Sequence, residues 1–187
     1  MKAKIFVLLH KMDKVDDTKR NDKFLNRMRQ FNSKAGKFKI EYFPTSIWEP
    51  SIYKAWSIIL GNIIPNKDKI RNLLEKYCHA CLADEVILFE RNTFLYILSY
   101  NNKKNKDNER FEKICERMKK FKNTCNLESK KYNHFLLKNI NNTIYLNEFE
   151  NNTCIMTVIS NKSVTLELLK INIEISKRNF KEIMDNC

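Results

Sequence analysis

Glycine is almost missing: the 187 residues contain 2, Gly36 and Gly61, isolated and far apart. A loop that cradles phosphates needs several glycines in one short stretch, followed by Lys and Ser or Thr, so that backbone N–H groups can close on the ligand. No such stretch exists here. Long apolar runs are missing too, and none approaches the roughly 20 residues of a membrane-spanning helix, which argues against direct membrane insertion. No secretory leader opens the chain, so the formal sequons at Asn141, Asn151 and Asn161 are expected to carry no glycan. Cys187 is the last residue and leaves no prenylation box, so membrane association is expected to come through partners.

Acidic residues are the minority, 22 against 35 Lys and Arg, for a net charge of +13. That balance invites a nucleic-acid function, but no RNA-binding signature or helix-turn-helix pattern accompanies it. Lys and Asn are abundant throughout, including loops such as Asn101–Asn108, and no nucleic-acid partner is expected. The 6 cysteines show no framework spacing. Cys78-His79-Ala80-Cys81 mimics half of a redox or zinc site, yet it closes an amphipathic helix and has no second pair; free thiols in a reducing compartment account for it better. With 43% hydrophobic residues the chain can build a sizeable core, and its length suits one medium domain or two small ones.

The most informative stretch is Ile5-Phe6-Val7-Leu8-Leu9-His10-Lys11-Met12-Asp13. Apolar residues without alternation predict a strand buried on both faces, as in a parallel sheet. In an open α/β sheet, ligands bind just beyond the carboxyl ends of the strands. Lys11-x-Asp13 at that place suits guanine. The carboxylate can accept from the ring N–H and the exocyclic amino group together, while the lysine stem lies along the ring. Adenine lacks those donors and would leave the charge unpaired.

A lone Lys-x-Asp recurs by chance; the second loop gives it meaning. Phe38 to Phe43 reads as another strand, ending in Pro44-Thr45-Ser46-Ile47. Between the strands, Phe24, Leu25, Met28 and Phe31 fall at helical spacing, which predicts a crossover helix over 17–33. A right-handed crossover makes the strands parallel and brings both loops to one end of the sheet. Thr45-Ser46-Ile47 is then placed to offer a hydroxyl that braces Asp13 and a backbone N–H aimed at the guanine carbonyl oxygen, with Ser46 and Ile47 supporting Lys11 and Asp13. After Pro50, expected at a helix's first position, Ile52, Trp56, Ile59 and Ile63 form one apolar face, with Trp56 expected to pack on the sheet.

Pro65 marks a boundary and separates domains at 1–64 and 66–187. In the second, Ile70, Leu73, Leu74, Tyr77 and Cys81 stripe a helix. Strands follow at 85–90 and 93–99, with a positive φ expected at Asn92. Phe111, Ile114, Cys115, Met118 and Phe121 stripe a second helix. Strands at 132–138, 142–149 and 152–159 precede a last helix over 163–184, with Ser163 expected as its N-cap. That helix carries two apolar stripes, Val164–Leu168–Ile171–Ile175 and Leu166–Leu169–Ile173–Phe180, on nearly opposite sides. It is therefore expected to be covered twice.

These residues carry a specific resemblance. His10-Lys11-Met12-Asp13, with His where most small GTPases have Asn, and Thr45-Ser46-Ile47-Trp48-Glu49-Pro50-Ser51-Ile52-Tyr53-Lys54-Ala55-Trp56 resemble the Rag/Gtr GTPases of the A/B type. Ile63-Ile64-Pro65-Asn66 and Ala83 to Leu95 continue the likeness, which loosens beyond residue 98. It implies an α/β fold followed by α+β. The first part is the C-terminal portion of a P-loop GTPase domain, with two parallel strands and two helices. The second is a roadblock (longin-like) domain, a five-stranded antiparallel sheet with three helices.

It further implies that His10, Lys11, Asp13, Ser46 and Ile47 serve guanine binding, with GTP or GDP and Mg²⁺ as cofactors of an intact protein. The implied partners are a C/D-type Rag GTPase bound through the roadblock domain, the TOR kinase complex and a lysosomal or vacuolar scaffold. The implied role is to signal amino-acid availability at that surface. In this family a phosphate loop and both switches precede the strand at Ile5, so the 187 residues alone are expected to be catalytically inactive. The competing expectation is a nucleotide-independent roadblock scaffold.

Overall fold

The computed structural model describes residues 4–102, 134–138, 140–150 and 152–185, together with 117, 118, 120, 121, 123 and 124. The chain divides into two compact units, Met1–Ile59 and Leu60–Cys187. The division falls inside a helix, a few residues before Pro65.

In the first unit β1 (Ile5–Leu9) pairs in parallel with β2 (Ile40–Pro44), from Ile5 opposite Ile40 to Leu9 opposite Pro44. The crossover is α1 (Asp17–Asn32), started by Asp16, whose carboxylate accepts from the Thr18 N–H at 3.0 Å. No residue of α1 is fully buried; its Phe24–Leu25–Met28–Phe31 stripe is covered only in part. Each residue of β1 is half-buried, against the expectation of burial on both faces, because β2 is its only strand neighbour among the described residues. Phe38 lies outside β2 and is 60% exposed. A turn closed by the Phe38 N–H on the Ala35 carbonyl, with Gly36 at φ +59°, ends before the strand begins.

The helix α2 (Ser51–Ile63) follows the second loop. Pro50 precedes it, and the Pro50 carbonyl accepts the first helical bond from Lys54. Ala55 and Ile59 form the buried side of α2, whereas Trp56 is 43% exposed and Ile63 65%. Trp56 is thus more than half covered but not buried, as a full seat in a core would require. The buried positions run four apart along one side, and Trp56 stands next to that side rather than on it.

The second unit holds α3 (Lys67–Ala80), β3 (Glu85–Glu90), β4 (Tyr96–Asn101), β5 (His134–Lys138), β6 (Thr143–Glu148), β7 (Thr153–Ile159) and α4 (Leu166–Asp185). The five strands form one antiparallel sheet ordered β4-β3-β7-β6-β5. Alternation along β3 feeds two cores. Val86 and Leu88 join the buried stripes of α3 and α4, with Ile70, Leu73, Leu74, Tyr77, Leu169, Ile173 and Phe180. Ile87 and Phe89 point the other way, into a cluster with Phe94, Leu146, Met156 and Met118. Met118 and Phe121 are helical, and the Phe121 ring lies 4.3 Å from that of Phe135. The rest of that expected stripe, Phe111, Ile114 and Cys115, lies outside the described residues. Helices thus cover both faces of the sheet, the roadblock arrangement.

Three local expectations need correction. The β3–β4 hairpin is longer than a two-residue turn, and the positive φ falls on Phe94 (52°), not Asn92. The Glu90 carboxylate accepts from the N–H groups of Asn92 and Thr93, and Phe94 turns its ring into the core. Second, α4 starts at Leu166, and Thr165 caps it by accepting from Leu168 N–H at 3.2 Å. Ser163 instead donates its N–H and hydroxyl to the Asn161 side chain in the preceding turn. Third, only one stripe of α4 is buried. Leu169, Ile173 and Phe180 are inside, while Ile171 is 60% and Ile175 51% exposed.

Candidate functional site

The parallel register brings the loop after β1 and the loop after β2 to one end of the two-stranded sheet. Thr45 ties them together. Its N–H donates to the Leu9 carbonyl at 2.8 Å, and its carbonyl accepts from Met12 N–H at 3.2 Å. Its hydroxyl lies 3.2 Å from the Leu9 carbonyl and 2.9 Å from His10 Nδ1. Thr45, Ser46 and Met12 are buried, so this knot is the rigid floor of the site.

On that floor the chain turns sharply. Lys11 adopts φ 62°, ψ 34°, a left-handed conformation uncommon for a residue with a side chain. A single 3-10 turn over Met12–Lys14 follows. Met12 points inward, leaving Lys11 exposed and Asp13 half-exposed on the outer side. The neighbouring Ser46 hydroxyl is the largest influence holding the Asp13 carboxyl below the usual carboxylate value; its own backbone and the Lys14 and Arg20 charges act the same way, against partial desolvation. Asp13 is therefore an anion at neutral pH, next to Ser46.

The Ser46 hydroxyl also accepts from Trp48 N–H at 3.1 Å, and Ser46 N–H donates to Ser51 Oγ at 3.0 Å. Ile47, between them, is 68% exposed, and its N–H pairs with no described residue. A carboxylate held ionised, a flanking lysine stem and an unpaired backbone N–H can together bind a planar base offering two adjacent donors and a carbonyl oxygen. Guanine is such a base. Arg20 adds a brace, reaching Asp17 at 3.0 Å and Glu49 at 3.2 Å, and so linking the start of α1 to the second loop.

All five residues expected from the sequence, His10, Lys11, Asp13, Ser46 and Ile47, fall on these two loops. His10 is exposed and serves the loop-to-loop link through Thr45. The sequence reasoning missed the extent of Thr45's role and the Arg20–Glu49 bridge. Strand pairing could have suggested the first, since a hydroxyl beside a strand end meets the neighbouring carbonyl; no local signal predicts the second.

The Cys78-His79-Ala80-Cys81 stretch holds no comparable chemistry. Burial pushes the Cys78 thiol up to about 12 and the Cys81 thiol up to about 11, so both remain protonated core groups. Among the described residues no group of three or more His, Cys, Asp or Glu could hold a metal ion.

Comparison with known proteins places these features in a family. Residues 1–118 match the family model described as the Gtr1/RagA G protein conserved region. The chain is 36% identical over 184 residues to Ras-related GTP-binding protein A of Dictyostelium discoideum, covering 98% of this chain and 61% of that protein. It is 38% identical over 195 residues to GTP-binding protein GTR1 of Saccharomyces cerevisiae, covering 96% of this chain and 62% of that protein. The chain thus spans about three fifths of the length of these relatives. In fold it is similar to Myxococcus xanthus MglB, with a TM-score of 0.54 at 14% identity over 66% of this chain and 92% of that one.

Proposed function

Since the chain belongs to the Gtr1/RagA family of G proteins, we propose that its first unit reads the guanine base of GTP or GDP. In this reading Asp13 accepts from the base N–H and amino groups, and Lys11 covers one face of the ring. The Ile47 N–H meets the carbonyl oxygen, while Ser46 and His10 hold the loops. The observation that carries the reading is the parallel register, tied by Thr45, which brings the Asp13 loop and the Ser46–Ile47 loop to one end of the sheet, with the Ser46 hydroxyl lowering the Asp13 pKa.

Phosphates and Mg²⁺ supply most of the charge-assisted contacts in a GTPase site. The 187 residues alone therefore hold GTP no tighter than about millimolar and do not hydrolyse it. Micromolar binding in isothermal titration would contradict this. In a chimera carrying the phosphate-binding half of the Dictyostelium relative ahead of Met1, GTP binding returns and Asp13→Asn weakens it about 100-fold while improving xanthine nucleotide binding. An amide offers a donor where xanthine has a carbonyl oxygen. Unchanged GTP affinity in that variant removes Asp13 as the base reader.

The second unit is proposed to pair with another Rag/Gtr GTPase of the C/D type, and the assembly to signal amino-acid availability to the TOR kinase complex at the lysosomal or vacuolar surface through partner scaffolds. Family membership and the roadblock arrangement support the pairing. Sedimentation of the full chain with and without a C/D-type partner tests it: a chain that stays monomeric in the mixture counts against this proposal. A nucleotide-independent scaffold would show that pairing without any response of the base loops to guanine.

A further inference from the structure

The chain's positive charge is not spread evenly. From Arg27 to Lys39 there are five cations, Arg27, Arg29, Lys34, Lys37 and Lys39, and no acidic residue. Among the described residues none of these five makes an ion pair; Arg27 and Arg29 reach only the amide oxygens of Gln30 (2.9 Å) and Asn26 (3.5 Å). Every residue from Phe31 to Lys39 except Ala35 is exposed, and two of them are large aromatics, Phe31 at 44% and Phe38 at 60%. Phe31 leans on Tyr42, whose hydroxyl donates to Asn32, so the end of α1 is fixed. The following turn stands clear: a Cβ placed on Gly36 meets nothing within 4 Å.

Elementary electrostatics penalises five unpaired cations crowded on a protruding turn, and the hydrophobic effect penalises a bare phenylalanine among them. Both costs fall against an anionic plane with an apolar layer just beneath it. We propose that the end of α1 and its turn, Arg27 to Lys39, dock on an anionic phospholipid membrane. The cations lie on the headgroups and Phe38 enters the interface, which is peripheral contact rather than insertion. A single-stranded nucleic acid fits less well, because it needs a groove that tracks its backbone and the patch is a projection. Topology suits the assignment. α1 starts at the base-loop end of the two-stranded sheet and ends at the opposite end, so docking there leaves the Lys11 and Ser46 loops open. The proposal does not depend on the guanine reading.

The test is co-sedimentation of the full chain with vesicles of phosphatidylcholine alone or with about 30 mol% phosphatidylserine. Binding is expected only to the anionic vesicles and to fall steeply between about 0.1 and about 0.5 M NaCl. Replacing Lys34, Lys37 and Lys39 together by Gln should weaken it roughly 100-fold, about fivefold per cation. The same change at Lys162, Lys170 and Lys181, exposed in the other unit, costs less than about fivefold. Phe38→Trp keeps binding and shifts its emission to the blue on anionic vesicles relative to the unsubstituted chain. Equal losses in the two triple variants, binding to neutral vesicles, or an unshifted Phe38→Trp emission would overturn the proposal. So would retention on single-stranded RNA, sensitive to the same lysines, without vesicle binding.

Discussion

Ile173 and Ile171 sit two residues apart on α4 with the same side chain, and they should respond very unequally to truncation. Ile173 is 0% exposed, within the core formed by α3, α4 and one sheet face. Ile173→Ala removes three buried carbons, about 2.4 kcal/mol of transfer free energy at about 0.8 per group. The void adds about 1 kcal/mol if the surroundings close over half of it. The sum is about 3–4 kcal/mol, a large share of the stability of a unit this size. Ile171 is 60% exposed, so the transfer loss falls to about 1 kcal/mol, and alanine's better helix propensity returns roughly 0.4. Urea unfolding of the full chain followed by far-ultraviolet circular dichroism reads both. Ile173→Ala lowers the midpoint sharply at constant slope, and Ile171→Ala shifts it little. Comparable losses at the two positions would mean that both stripes of α4 are covered, and the stated exposure of Ile171 would be wrong.

Other expectations follow from single contacts. Tyr77→Phe deletes the buried hydroxyl bonded to Thr157 Oγ1 at 3.0 Å and should cost about 1–2 kcal/mol by the same unfolding assay; a neutral result would remove that bond from the energetics. Thr165→Ala strips the cap of α4 and costs about 1 kcal/mol, while Ser163→Ala, outside the helix, costs less; the reverse order would restore Ser163 as the cap. Ser46→Ala raises the Asp13 pKa toward its ordinary value, because the hydroxyl is the largest influence lowering it. Since the folded-state pKa is depressed, the stabilisation is present above the ordinary carboxylate value and is lost as pH falls through the folded one. A carboxyl-carbon NMR titration showing an unmoved Asp13 midpoint in Ser46→Ala would refute the brace.

The order of elements was legible because periodicity and turn residues agree through most of the chain. The stripe Ile70–Leu73–Leu74–Tyr77–Cys81 predicted for α3 is buried throughout. The two site loops could be read because a right-handed crossover leaves one way to place them. What escaped was set by tertiary geometry. Phe38 looks like strand sequence, but a turn closes in front of it. Phe94 takes the positive φ in place of Asn92 because Glu90 holds the turn and the core accepts the ring. Ile171 and Ile173 look equally apolar in sequence, and only the fold separates the stripe that meets the sheet from the one that does not. The left-handed backbone of Lys11 has no sequence signal, since lysine gives no hint of it.

The claim that most needs testing is that the loops joined by Thr45 read guanine. Amide NMR of the full chain, titrated with 5′-GMP, 5′-AMP and 5′-XMP at up to tens of millimolar, addresses it without the phosphate-binding half. GMP should move the amides of Lys11, Met12, Asp13, Ser46 and Ile47 in a saturable way, with AMP and XMP leaving them nearly unchanged. Equal shifts with AMP, or responses confined to residues away from these loops, would contradict the assignment.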